Sequence, residues 1–151
     1  MSKKLKAKNS GCKKVKMHTP RLPEAKAAFS RGMSVNCGDA EILFISGTAS
    51  VDNQGQTAHK ENFPAQVRHT YENIESLLSE AGASVRDVVK FTVYLKDMDQ
   101  YEKFDELRVE FLKTNGLTRE EYPASTCVQA RLCRDDLLLE IDAIAIIKVK
   151  K

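Results

Sequence analysis

Two segments of the chain place apolar residues at intervals of three or four positions, and this spacing predicts two amphipathic helices. In the first segment the apolar positions are Phe63, Val67, Tyr71, Ile74, Leu78 and Ala81. Asn62 can cap this helix, Pro64 suits its first turn, where a missing N–H costs nothing, and Gly82 can end it. In the second segment the stripe is formed by Tyr101, Phe104, Leu107 and Phe111, with Asp99 as the expected cap.

Five other segments are rich in β-branched and aromatic residues or alternate between apolar and polar positions, as strands do. They cover residues 28–36, 41–46, 88–96, 125–132 and 137–147. A turn at residues 133–136 makes the last two segments the arms of a closing hairpin. The final segment is apolar almost throughout, which is typical of a strand buried on both faces.

The predicted order β-β-α-β-α-β-β describes a two-layer α+β domain, with two helices on one face of a mixed sheet. Two helices on one face leave the other face of the sheet bare. Since the last predicted strand offers apolar residues to both sides, we expect the bare face to pack against another copy of the chain.

The N-terminal part of the chain differs in composition from the rest. Residues 1–16 hold seven lysines and no acidic residue, whereas the net charge of all 151 residues is only +3. Pro20 and Pro23 follow, so we divide the chain into a basic extension, residues 1–25, and a domain, residues 26–151. Such a composition cannot pack a core, and it predicts a mobile extension that touches nucleic acid weakly at most.

Several function classes lack support in the sequence. There is no apolar run of 18 or more residues and no apolar segment behind the N-terminal lysines, so we expect a cytoplasmic protein without a membrane span. The four cysteines form no Cys-x-x-Cys pair and the three histidines are scattered, so we expect neither a metal site nor a disulfide framework.

Glu140 is a candidate functional residue on physical grounds alone. It lies within the apolar run LLLEIDAIAII, where a carboxylate must be paired, face a cavity or have a raised pKa. A functional carboxylate in a pocket and a structural one bonded to nearby backbone both fit this position. We favour the functional interpretation because perturbed carboxylates cluster at sites.

Four stretches of the sequence resemble a known family: FISG at residues 44–47, the first predicted helix, residues 88–112, and YPASTCV followed by LLLEIDAIA. They are similar to the reactive-intermediate deaminase family, also known as the YjgF-like or L-PSP endoribonuclease-like family. The resemblance implies a chorismate-mutase-like fold and a homotrimer whose sheets face inward, with a pocket at each subunit interface. It also implies cofactor-free hydrolysis of 2-imino and 2-enamino acids to 2-keto acids and ammonia.

The same resemblance implies roles for individual residues. Glu140 matches a glutamate that orders the attacking water, and Gly47 matches a turn whose backbone approaches the ligand. Phe29 stands where a tyrosine is frequent, Asp105 where an asparagine is frequent, and Cys127 where a cysteine is common.

Ser125 departs from the family pattern. It occupies the position of an arginine that holds the substrate carboxylate, and a serine offers one hydroxyl and no charge. Arg31 shares the side-chain direction of Phe29 on the first predicted strand and is the replacement we consider. We expect Arg131 and Arg134, near the hairpin turn, to be solvated surface residues farther from the ligand.

Other functions remain open at this point. The closing segment also resembles that of the chorismatases, so a cyclic carboxylate is a conceivable ligand. A non-catalytic scaffold that binds a metabolite or a protein is the alternative from another class. A ribonuclease is disfavoured because His59 and His69 show no convincing pairing in the sequence.

Overall fold

A computed structural model describes residues 11–149 of the chain and gives six strands and two helices in that range. The strands are β1 (Lys13–Met17), β2 (Gly32–Asn36), β3 (Ala40–Thr48), β4 (Val88–Leu95), β5 (Ala124–Gln129) and β6 (Leu139–Lys148). The helices are α1 (Phe63–Glu80) and α2 (Tyr101–Thr114), and short 3₁₀ turns precede β4, α2 and β5. The α+β prediction is confirmed.

All six strands form one mixed sheet in the order β1-β2-β3-β6-β4-β5. Only β4 and β5 run parallel, and the other neighbours are antiparallel. The predicted closing hairpin is therefore wrong, because β5 and β6 lie on opposite sides of β4. The apolar β6 takes a central place between β3 and β4, whereas the more polar β5 forms an exposed edge.

Both helices cover one face of the sheet. Tyr71 of α1 stacks on Phe111 of α2 at 4.0 Å between ring centroids, and its ring meets Phe91 of β4 edge-on at 5.9 Å. Asn62 caps α1 as predicted, since its Oδ1 accepts a hydrogen bond of 3.0 Å from the N–H of Ala65. These contacts make the helix layer and the inner sheet face one core.

The start of α2 differs from the prediction. A 3₁₀ turn precedes the helix, and Asp97, not Asp99, caps that turn by accepting a hydrogen bond from the N–H of Asp99 at 3.0 Å. Tyr101 is 40% exposed and so does not belong to the buried stripe.

Part of the predicted extension belongs to the sheet. β1 pairs with β2 from Lys13 opposite Asn36 to Met17 opposite Gly32, and the side chain of Met17 is buried. A mobile extension up to residue 25 is therefore wrong for this segment. Lysines on an edge strand point to solvent and discourage further pairing, so a lysine-rich strand is physically reasonable here. The lysines of residues 1–10 lie outside the described residues.

The sheet face opposite the helices carries a row of apolar side chains from its two central antiparallel strands. Phe44 is opposite Ile144 and Ile42 is opposite Ile146, and Phe44 and Ile146 are both more than two-fifths exposed. The homotrimer stays a prediction, for which this open face offers a surface. Within residues 11–149, no helix is both long and apolar enough to cross a membrane.

Candidate active site

Glu140 lies directly over Gly47. The register of β3 against β6 shifts between Ile45 and Thr48, the part of β3 that contains Gly47. A Cβ atom added to Gly47 would overlap Oε1 of Glu140. Only glycine leaves room for this carboxyl group, so the two residues form one unit.

The carboxyl group of Glu140 is half-buried on the open sheet face. Burial raises its pKa above the ordinary value, and the negative charge of nearby Asp142 raises the pKa further. Asp142 itself accepts a hydrogen bond from the hydroxyl of Tyr94 at 3.1 Å. A carboxyl group with a raised pKa, facing a cavity, is suited to exchanging a proton with a ligand or a water.

A cavity of about 1200 Å³ opens over this unit and brings four of the predicted site residues together: Phe29, Arg31, Gly47 and Glu140. The Nε–H of Arg31 donates to the backbone oxygen of Pro23 at 3.0 Å, and its guanidinium lies 5.6 Å from the centre of the Phe29 ring. Burial and the charge of Arg134 lower the pKa of Arg31. Phe29 and Arg31 precede β2, so they reach the cavity from a loop and not from the predicted strand.

Arg134 also lines this cavity, contrary to the expectation that it lies farther from the ligand. Its Nη1 donates to the backbone oxygen of Gly55 at 2.8 Å. Sequence reasoning placed it too far from the ligand because the loop that follows β3 folds back towards residue 134, which no local pattern indicates. Arg131 lines a smaller cavity near Lys96, which shares Arg134 with the cavity at Glu140.

The other predicted site residues lie elsewhere in the protomer. Ser125 and Asp105 line a cavity of about 550 Å³ between α2 and β5, which shares no lining residue with the cavity at Glu140. In the sheet Ser125 pairs with Phe91 and Cys127 pairs with Val93, and the side chains of Phe91 and Val93 are buried on the helix side. Glu140 pairs with Tyr94 and faces the open side. Cys127 is half-buried at the edge of the core, and burial raises the pKa of its thiol.

Arg108 is the residue of this second cavity that sequence reasoning missed. Its Nη1 donates to Oγ of Ser125 at 3.0 Å, and its Nη2 is hydrogen-bonded to Asp105. Burial alone would lower the pKa of Arg108, but its interactions with Asp105 outweigh that effect and raise the pKa. The spacing of three residues between Asp105 and Arg108 on a helix was a signal that the two side chains meet.

The chain as a whole matches a known family. The model of the family Endoribonuclease L-PSP matches residues 19–147. The chain belongs to this family. Its relatives include a RutC family protein of Pyrococcus abyssi, which is 32% identical over 127 residues, covering 84% of this chain and 92% of the relative. The 3-aminoacrylate deaminase RutC of Acinetobacter baylyi is 34% identical over 104 residues, covering 69% and 78%.

Solved structures of the L-PSP family share the fold. The structure of E. coli TdcF with bound serine has a TM-score of 0.74 at 30% identity and covers 88% of this chain and 98% of that chain. The YjgF gene product of E. coli has a TM-score of 0.73 at 26% identity, with 87% and 98% covered. The resemblance seen in the sequence is thus confirmed for family and fold.

The name of the L-PSP family directs attention to the histidines, which the structure pairs although the sequence suggested no pairing. The rings of His59 and His69 meet edge-on, 5.1 Å apart between centroids, and Nδ1 of His69 is hydrogen-bonded to Oγ of Ser50 at 3.0 Å. Burial and the charge of His59 lower the pKa of His69. Neither imidazole lines the cavities at Glu140 or Ser125, so the pair is not part of the candidate site.

Proposed function

We propose that this protein hydrolyses small 2-imino or 2-enamino acids to 2-keto acids and ammonia in a pocket built between two copies of the chain. The observation that carries the proposal is the carboxyl group of Glu140, which lies over Gly47 in a cavity and has a raised pKa. Membership of a family that contains a 3-aminoacrylate deaminase supports the reaction class.

In the proposed reaction Glu140 acts on water. The carboxylate accepts a proton from the water as the water oxygen bonds to the imine carbon, and the carboxylic acid returns this proton to the nitrogen, which gives a carbinolamine. The carboxylate then transfers the hydroxyl proton of the carbinolamine to the nitrogen as the C–N bond breaks. Ammonia leaves and the C=O bond of the keto acid forms, so no oxidant or reductant is needed. A raised pKa lowers the cost of the protonated form, which this exchange requires.

The proposed pocket needs two copies because one protomer separates its functional residues. Glu140 faces the open side of the sheet, whereas Ser125 lies at the α2–β5 edge. The cavity at Ser125 shares no lining residue with the cavity at Glu140. The apolar row on the open face, which includes Phe44 and Ile146, gives a second copy a surface to bury. We therefore propose a homotrimer in which the β5 edge of one copy meets the open face of the next.

The test is keto-acid release from freshly generated 2-aminoacrylate, 2-iminopropionate and 3-aminoacrylate. We expect Glu140→Gln to lose at least about 100-fold in kcat/KM while remaining folded, because it removes the group that exchanges the proton. Glu110→Gln is the matched control, since Glu110 is exposed and pairs with Arg68 away from both cavities. Full activity in Glu140→Gln would overturn the role of this residue.

Co-expression tests the interface pocket. Glu140→Gln and Ser125→Tyr chains should each be inactive alone, and mixed oligomers should recover part of the activity because some interfaces then combine two intact halves. Absence of recovery in mixed oligomers would contradict a shared pocket.

A non-catalytic scaffold is the second candidate, and Ser125 is the observation that favours it, because the cation expected at this position is absent. A scaffold would bind a keto acid without accelerating the hydrolysis of any of the three substrates. A chorismatase-like hydrolase would instead act on a cyclic carboxylate such as chorismate, which the same assay can include.

A further inference from the structure

We infer that Arg108 and the hydroxyl of Ser125 together hold the carboxylate of the ligand, in place of an arginine on β5. This inference rests on the proposed function, because it names the anchor for the acidic substrates of that site. It begins from the hydrogen bond of 3.0 Å between Nη1 of Arg108 and Oγ of Ser125, which joins a helix to the sheet edge.

The hydrogen-bonding capacity of this pair leaves donors for a ligand. Hydrogen bonds to Ser125 and Asp105 engage the guanidinium of Arg108, and a guanidinium carries five N–H groups, so further N–H groups are left for a ligand. Because the hydroxyl of Ser125 accepts a bond from Arg108, its own O–H is available to donate. One guanidinium N–H and one hydroxyl can therefore bind the two oxygens of a carboxylate.

The guanidinium is also held in place. The side chain of Arg108 is only 17% exposed, it pairs with Asp105 one helical turn away, and its guanidinium lies 5.3 Å from the centre of the Phe104 ring. A fixed guanidinium loses little conformational entropy when a ligand binds. The raised pKa of Arg108 keeps it charged at any physiological pH.

The charges around the two cavities decide which one takes an anion. The cavity at Ser125 is lined by one acidic residue and three cationic ones: Asp105, Arg108, Lys113 and Arg119. The cavity at Glu140 is lined by four acidic and three cationic residues: Glu24, Asp136, Glu140, Asp142, Lys26, Arg31 and Arg134. A carboxylate is attracted to the first cavity and repelled on balance by the second.

The partners of the alternative cations support the same choice. Arg31 and Arg134 each donate to a backbone oxygen, of Pro23 and Gly55, and each lies in the cavity that carries the carboxyl groups of Glu140 and Asp142. Arg108 is the cation that touches the residue standing at the expected anchor position.

Direct binding of pyruvate, a product of the proposed reaction, tests the inference without relying on turnover. Titration calorimetry with full-length protein should show pyruvate binding that weakens about 10- to 100-fold in Arg108→Ala, as expected for the loss of a charge-assisted hydrogen bond. Arg68→Ala is the matched control, because Arg68 is another helix arginine paired with a glutamate and lies away from Ser125. The methyl ester of pyruvate, which has no carboxylate, should bind weakly and with the same affinity to the wild type and to Arg108→Ala.

Two further variants guard against a folding defect. Arg108→Gln keeps the side-chain stem and a donor and should still lose most of the affinity, with an unchanged circular dichroism spectrum. Adding Ser125→Arg to Arg108→Ala should restore pyruvate binding, which a merely structural role of Arg108 would not predict.

The outcomes separate the two proposals. Arg108-dependent binding of pyruvate without imine hydrolysis would sustain the anchor and overturn the deaminase. Imine hydrolysis with pyruvate affinity unaltered in Arg108→Ala would overturn the anchor and sustain the deaminase. Weakening in Arg31→Ala but not in Arg108→Ala would likewise refute the anchor and assign the carboxylate to the other cavity.

Discussion

The cavity at Glu140 and the cavity at Ser125 differ in charge and in origin. The first has an excess of acidic residues and is built from β3, β6 and loops on the open sheet face. The second has an excess of cationic residues and lies between α2 and the edge strand β5. One holds a carboxyl group with a raised pKa, and the other holds a charged guanidinium against a serine. The difference teaches that proton exchange and anion binding require opposite electrostatics, which two separate surfaces provide.

The largest expected effect comes from removing the space under Glu140. A methyl group at Gly47 would overlap the glutamate carboxyl, so Gly47→Ala should displace that side chain and lower kcat/KM by about 100-fold or more. Pyruvate affinity should fall far less, because the Ser125 cavity is untouched. Gly11→Ala is the control, since nothing lies within 4 Å of a Cβ atom there. Equal losses of pyruvate affinity and of turnover would refute the division of labour between the cavities.

The Glu140 side of this comparison could be predicted from the sequence, and the reason is physical. A carboxylate in an apolar run and a glycine after a strand both leave local signals, and the cap at Asn62 is equally local. The Ser125 side could not be predicted to the same depth. Its cation comes from α2, and the contact between Arg108 and Ser125 depends on how that helix packs on the sheet edge.

Strand neighbours were the other limit of the sequence. Alternation shows that a segment is a strand and which residues share a face, but it does not show which strand lies beside it. Adjacency in the chain suggested a hairpin of β5 with β6, yet the apolar β6 is stabilised more by burial between β3 and β4. In β1 only Met17 is buried and the other four residues are exposed, so no alternation marked this segment as a strand.

A smaller effect should follow from reducing the positive charge around Ser125. Lys113 and Arg119 are exposed, so replacing both with glutamine should raise KM only about two- to five-fold, since exposed charges are strongly screened. The effect should vanish at high salt and leave kcat unchanged. Lys103→Gln on the same helix, whose lysine pairs with Glu106, controls for a general change of charge. A change in kcat with constant KM would break the assignment of this cavity to anion binding.

The smallest effect is a shift in pH dependence at the other cavity. The negative charge of Asp142 raises the pKa of Glu140, so Asp142→Asn should lower that pKa and move the corresponding limb of the kcat/KM profile to lower pH. The asparagine can still accept the hydrogen bond from Tyr94, which limits any structural change. The direction is the same whether Glu140 acts first as base or as acid, because either limb follows the same pKa. Suppose that the limb of the kcat/KM profile is lost in Glu140→Gln but keeps its position in Asp142→Asn. Burial alone would then set the pKa of Glu140, and its acidic surroundings would not contribute.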